Sequence, residues 1–143
     1  MKNALRSHFW TVVFALAFVV GMQPIAPMLG HWYNENTPVV DMEGVIVERT
    51  DESVLIHITG EKLRMCRYVA ITAMTSTADG RLEDAYIRKM SGKPQDGSTK
   101  PVGNYDLGLW QVWPISGSSK VVVFVQHDCD GAVVLSKIAE VSL

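Results

Sequence analysis

The chain has 143 residues, 48% of them apolar, and its 13 Lys and Arg nearly balance its 15 Asp and Glu. That length supports one domain with a core of its own. The near-neutral charge and the lack of any basic stripe exclude a nucleic-acid binder held by phosphate contacts. High apolar content with a net charge of only −2 excludes a disordered chain.

Phe9 to Gly30 runs for 22 residues without a formal charge. As a helix rising about 1.5 Å per residue it covers roughly 33 Å, against a hydrocarbon core of about 30 Å. Residues 9–30 are therefore expected to anchor the chain in membrane lipid, with residues 1–8 as a short cytoplasmic N-terminus. Trp10 at one edge and Trp32 with Tyr33 at the other have the spacing of aromatic belts at the two membrane interfaces. Pro24 and Pro27 are expected to break or kink the far end of the span. Lys2 and Arg6 precede it, while Glu35, Asp41, Glu43 and Glu48 follow. The positive-inside rule then places the span in a bacterial inner membrane with the C-terminal body in the periplasm. The alternative is a cleaved signal peptide, with Lys2 and Arg6 as its n-region, Phe9 to Val20 as its h-region and a cut after Gly21, which would free a periplasmic or secreted protein. Residues 31–38 read as a linker to an extracytoplasmic domain at 39–143.

Downstream, apolar residues recur with a period of two and no stretch holds a helical stripe. Strands are expected at Val39 to Arg49, Val54 to Thr59, Arg64 to Thr75, Leu82 to Met90, Leu107 to Trp113, Lys120 to His127 and Ala132 to Val141. Turn-forming residues separate them at Thr50 to Ser53, Ala78 to Gly80, Ser116 to Ser119 and Asp128 to Gly131. Seven strands on this length predict an all-β fold, a sandwich or a small barrel, behind one transmembrane helix. Ser91 to Asp106 is too long for a turn and reads as a loop with Lys93 and Lys100 at its tip.

Cys66 and Cys129 both fall in the exported part, where an even pair is expected to form a disulfide. Their separation resembles that of immunoglobulin-like sandwiches, in which such a bond joins two sheets; hence the sandwich, of about that size, is the expected architecture. Membership does not follow, because His127 stands two residues before the second cysteine where those domains carry Tyr, and the tryptophans lie at 110 and 113. Gly60-x-Lys62-x-Arg64-x-Cys66, Lys100-Pro101-Val102-Gly103, Leu107-Gly108-x-Trp110 and His127-x-Cys129 resemble segments of small uncharacterised membrane-anchored proteins of phages and proteobacteria. That resemblance implies an extracytoplasmic β-domain and supplies no activity.

His57, Met65, Cys66, His127 and Cys129 are the soft metal ligands on offer, but their spacing fits no copper site and a disulfide would consume both thiolates. Neither a metal nor a cofactor is expected. No nucleophile elbow, zinc-protease helix, phosphate loop or dinucleotide fingerprint is present, so no catalytic residues are assigned. Asp106, Asp128 and Asp130 read as an acidic grouping of turn formers. The expected activity is binding: an anchored β-domain serving as an accessory subunit for another envelope or membrane protein. Its candidate surface combines Arg88, Lys100, Tyr105, Trp110 and Trp113, with one of the two tryptophans facing the core and the other at least partly exposed. The alternative is a periplasmic redox or copper-handling domain using Cys66, Cys129 and His127.

Overall fold

A computed structural model describes residues 12–13, 18–20, 25–77, 79–91 and 99–143. The chain forms two compact units, 1–37 and 38–143. The first contains helix α1, Ile25–Asn36. Pro24 stands before the helix and Pro27 in its first turn, where a missing N–H breaks no intrahelical bond. Pro27 thus stands in the opening turn of a helix, Pro24 lies outside the described residues, and residues 31–36, expected as linker, belong to that helix. Pro38 prevents its extension, and the last turn closes with Thr37 N–H donating to Tyr33 O at 2.9 Å and Asn36 Nδ2 to Trp32 O at 2.8 Å. Trp32 and Tyr33 lie exposed on α1. Among the described residues no helix is long and apolar enough to cross a membrane. Much of the expected span at 9–30, with Trp10, lies outside the described residues.

The second unit is all-β: β1 Val40–Arg49, β2 Val54–Lys62, β3 Arg67–Thr77, β4 Leu82–Lys89, β5 Gly103–Trp113, β6 Ser118–Cys129 and β7 Ala132–Ser142. All seven expected strands are present. They form one sheet in the order β1-β2-β5-β4-β3-β6-β7, antiparallel at every pairing. The expected two-sheet sandwich is thereby corrected. The cause is β4, whose first half pairs with β3 from Ala73↔Ala85 to Ser76↔Leu82 and whose second half pairs with β5 from Tyr86↔Trp113 to Lys89↔Trp110. One strand shared in this way makes a corner where a sandwich would have a gap.

The sheet curls until its edge strands meet, because β1 and β7 lie side by side. Register shifts between Ile46 and Glu48, Ile58 and Thr59, Tyr68 and Ala70, Ser76 and Thr77, and Val123 and Phe124 supply the local bends. At the seam Gly44 is required by space, since a Cβ there would stand 2.5 Å from Ala139 Cβ and 2.9 Å from Ile56 Cγ2. The interior is filled by Val39, Val54, Ile56, Ile58, Trp110, Val112, Val121, Val123, Val125 and Ile138, all buried. Apart from Val39 before β1 and Ile138 on β7, these are alternating apolar positions of β2, β5 and β6, and all but Trp110 carry β-branched side chains suited to a pleated wall.

Cys66 and Cys129 are bonded across a Cα–Cα distance of 4.7 Å, and each is 4% exposed. The bond joins the residue before β3 to the end of its hydrogen-bonded neighbour β6, where Arg67 pairs with Asp128. It pins two adjacent strands at one end of the barrel, which differs from the inter-sheet bond of immunoglobulin-like domains. Beyond it, Asp130 and Gly131 turn the chain into β7 with φ of 56° and 85°. Two successive positive φ values define a type I′ hairpin turn, which Asp-Gly adopts at little cost.

Candidate functional site

The site begins with the alternation of β5. Val112 is fully buried and Trp110 is 4% exposed, with the Trp110 indole N–H donating to Leu107 O at 3.1 Å. Gln111 and Trp113 take the opposite parity and lie half-buried on the outer wall. The expectation that one tryptophan faces in and the other is partly exposed is met. Lys89 Nζ stands 5.6 Å from the centre of the Trp110 ring.

Trp113 finds its partners on β4. Tyr86, its direct cross-strand neighbour, stacks on it with centroids 5.8 Å apart and planes 27° from parallel. The Arg88 guanidinium lies 5.8 Å from the centre of the Trp113 ring, where a cation is attracted by the ring's quadrupole. Tyr86 is nevertheless 70% exposed, an unusual position for a ring of its size. Arg88 Nη2 also donates to Gln111 Oε1 at 3.3 Å, and Gln111 Nε2 donates to Ser53 Oγ at 3.2 Å. Ser53 is held in turn by the β1–β2 turn, where its N–H donates to Thr50 Oγ1 at 3.0 Å.

These groups line a cleft of about 400 Å³ formed by Thr50, Glu52, Ser53, Arg88, Gln111, Trp113, Pro114 and Ser116. That is within the size range of ligand clefts, roughly 300–1,000 Å³. A smaller hollow of about 150 Å³ shares Thr50, Ser53 and Gln111 with it and continues to Glu48, Leu55 and Met90. The two form one groove because Glu48, Leu55, Gln111 and Arg88 are consecutive partners across β1, β2, β5 and β4.

Of the residues expected to act together, Arg88 and Trp113 meet here, while Trp110 is core. Tyr105 and Lys100 do not join them. Tyr105 lies eight residues back along β5, about 26 Å at the rise of an extended strand. Its hydroxyl donates to Pro101 O at 2.8 Å. Gly103 to Asp106, expected as loop, begin β5 and pair with β2 between Thr59 and Lys62. Lys93 and the rest of 92–98 lie outside the described residues. Sequence reasoning missed Tyr86, Gln111, Leu55 and Glu48. Tyr86, Gln111 and Leu55 have the outward parity of their strands, whereas Glu48 shares the inward parity of Met42 and Ile46 and faces out only past the register shift between Ile46 and Glu48. Neither that shift nor the pairing of β4 with β5 leaves a mark in sequence.

The acidic grouping is dispersed. Asp106 Oδ1 bonds His57 Nε2 at 2.8 Å and accepts the Gly108 N–H at 2.8 Å. The Gly108 N–H foremost, then His57, hold the Asp106 carboxyl below its ordinary range. Asp128 instead meets Arg67 at 2.8 Å, and that bond, with the Gly131 N–H, lowers it likewise. His57, one of the soft ligands on offer in the sequence, is the partner of Asp106.

At the disulfide end Lys62 is 5% exposed and donates from Nζ to Cys66 O at 2.6 Å. His127 is 4% exposed and its Nδ1 has no partner. Burial, then the charge of Lys62, pushes the imidazole down to about 4. Among the described residues no group of three His, Cys, Asp or Glu could hold a metal ion. At 4% exposure each, the two disulfide cysteines offer little access to an attacking thiolate. Comparison with family models, with curated proteins and with solved structures finds no match for this chain.

Proposed function

We propose that the β-barrel is a protein-binding module, an accessory subunit of an envelope or membrane complex, and that it docks its partner on the outer wall of β4 and β5. The observation that carries this reading is the Tyr86–Trp113 stack, with Tyr86 70% exposed beside a cleft already set with hydrogen-bonding groups. Exposed aromatic rings flanked by arginine are the composition of interaction hot spots. The extracytoplasmic placement is supported by the disulfide, which reducing compartments do not preserve. Attachment to a membrane is supported by the uncharged run Phe9 to Gly30 and by Met28, Leu29, Trp32 and Tyr33, all exposed on α1. The resemblance to small membrane-anchored proteins of phages and proteobacteria points the same way.

The test compares two single substitutions. Trp113→Ala is expected to abolish recovery of the native partner from membranes while thermal melting stays near wild type. Trp110→Ala is expected to cost about 3–5 kcal/mol of stability, as large-to-small changes of buried aromatics do. Unimpaired partner recovery by a folded Trp113→Ala protein would refute the reading.

A further inference from the structure

The groove carries opposite charges at its two ends. Arg88 closes it on the β4 side, while Glu48 at the end of β1 closes it on the other; Glu52, in the turn after β1, lines the same cleft as Arg88. None of the three is in an ion pair among the described residues, although other exposed pairs of this unit are satisfied, such as Arg67–Asp128 and Lys120–Glu140. Arg49, next to Glu48, pairs across to Val54 and does not line the groove. The row Glu48–Leu55–Gln111–Arg88 crosses four strands. At about 4.8 Å per strand its ends are roughly 14 Å apart, too far for Arg88 and Glu48 to neutralise each other directly. Between them lie the apolar side chain of Leu55 and the fixed amide of Gln111, with Met90, two residues past Arg88 and just beyond β4, completing the hollow beside Leu55.

Resting on the protein-binding reading above, we propose that the occupant is an extended segment of the partner protein carrying a carboxylate and a cationic side chain about four residues apart. At about 3.3 Å per residue such a segment spans roughly 13 Å, which matches the row. The carboxylate meets Arg88 and the cation meets Glu48. An apolar residue between them covers Leu55 and Met90. The charges fix the direction of the segment across the strands, and the aromatic stack supplies the contact area.

The probes are three synthetic five-residue peptides with Pro-Leu-Pro between their end residues: Asp with Lys, Asp with Asp, and Lys with Lys, all with blocked termini. Each is titrated into the full chain while the Gln111 side-chain amide and the Trp113 indole are followed by NMR. The Asp/Lys peptide is expected to shift both signals saturably and to bind several-fold tighter than either uniform peptide, since an exposed ion pair contributes about two- to fivefold. Arg88→Glu should then favour the Lys/Lys peptide, and added salt should erase the preference. Equal binding of all three peptides in the groove would overturn the charge rule and leave the groove as a binding site. No saturable shift at millimolar peptide also overturns it, whereas the protein-binding reading stands or falls on Trp113→Ala.

Discussion

His127 shows how one buried side chain sets a pH window. Its imidazole is held at about 4 against an ordinary 6.5, because burial beside Lys62 disfavours the cation. The unfolded chain therefore takes up the proton first. The stability that the neutral ring permits is complete above about pH 6.5 and is lost as pH falls from there through 4. A shift of that size corresponds to about 3 kcal/mol. Denaturant titrations at pH 7 and pH 4.5 should show most of this loss, and His127→Phe should flatten the curve over that interval. Asp106, Asp128 and Glu140 have carboxyls held below their usual range. Their contribution is present above the ordinary carboxylate pKa and declines only at more acidic pH, so the two effects separate along the pH axis.

At the scale of elements, the seam between β1 and β7 depends on the absence of a side chain. A valine at position 44 would put atoms where Ala139 Cβ and Ile56 Cγ2 stand, forcing the edge strands apart. Gly44→Val should destabilise the unit by about 1–3 kcal/mol, the usual range for overpacking. Pairing Gly44→Ala with Ala139→Gly should recover most of the loss of Gly44→Ala alone; simple additivity in denaturant melts would disprove direct contact. Strand positions were legible because alternation and β-branched runs are local signals, as at Val121 to Val125. The start of β5 was not, because Gly103, Asn104 and Asp106 are turn formers that enter a strand only through pairing with Lys62, Glu61 and Thr59. The parity argument separated Trp110 from Trp113, yet it had no means of finding Tyr86, which meets Trp113 through a register between strands separated by a long connection.

At the scale of the molecule, seven antiparallel strands in a row leave both edges running in the same direction, so the barrel closes by packing at Gly44 without a ladder pairing of β1 to β7 among the described residues. Whether two sheets or one would form was beyond sequence, since periodicity is the same for both; the divided pairing of β4 decides it. The disulfide ties β3 to β6, the neighbour of edge strand β7, across a separation of 63 residues. Loop closure of that length contributes about 4 kcal/mol in the chain-entropy model. Cys66→Ser should therefore lower stability by about 2–5 kcal/mol. An unreduced digest of the wild type should yield the Cys66 and Cys129 peptides joined, and free thiols in a natively produced sample would contradict the pairing.

On the proposed reading, the wall bearing Arg88 and Trp113 is the docking face. The most direct measurement places a photo-crosslinking amino acid at Met90, which lines the groove, or at Thr72, exposed on β3, in the full chain in its native cell. One discrete protein adduct is expected from position 90, absent from position 72 and lost when Trp113→Ala is added. An adduct from position 72 with none from position 90, or no adduct from either, would contradict the reading.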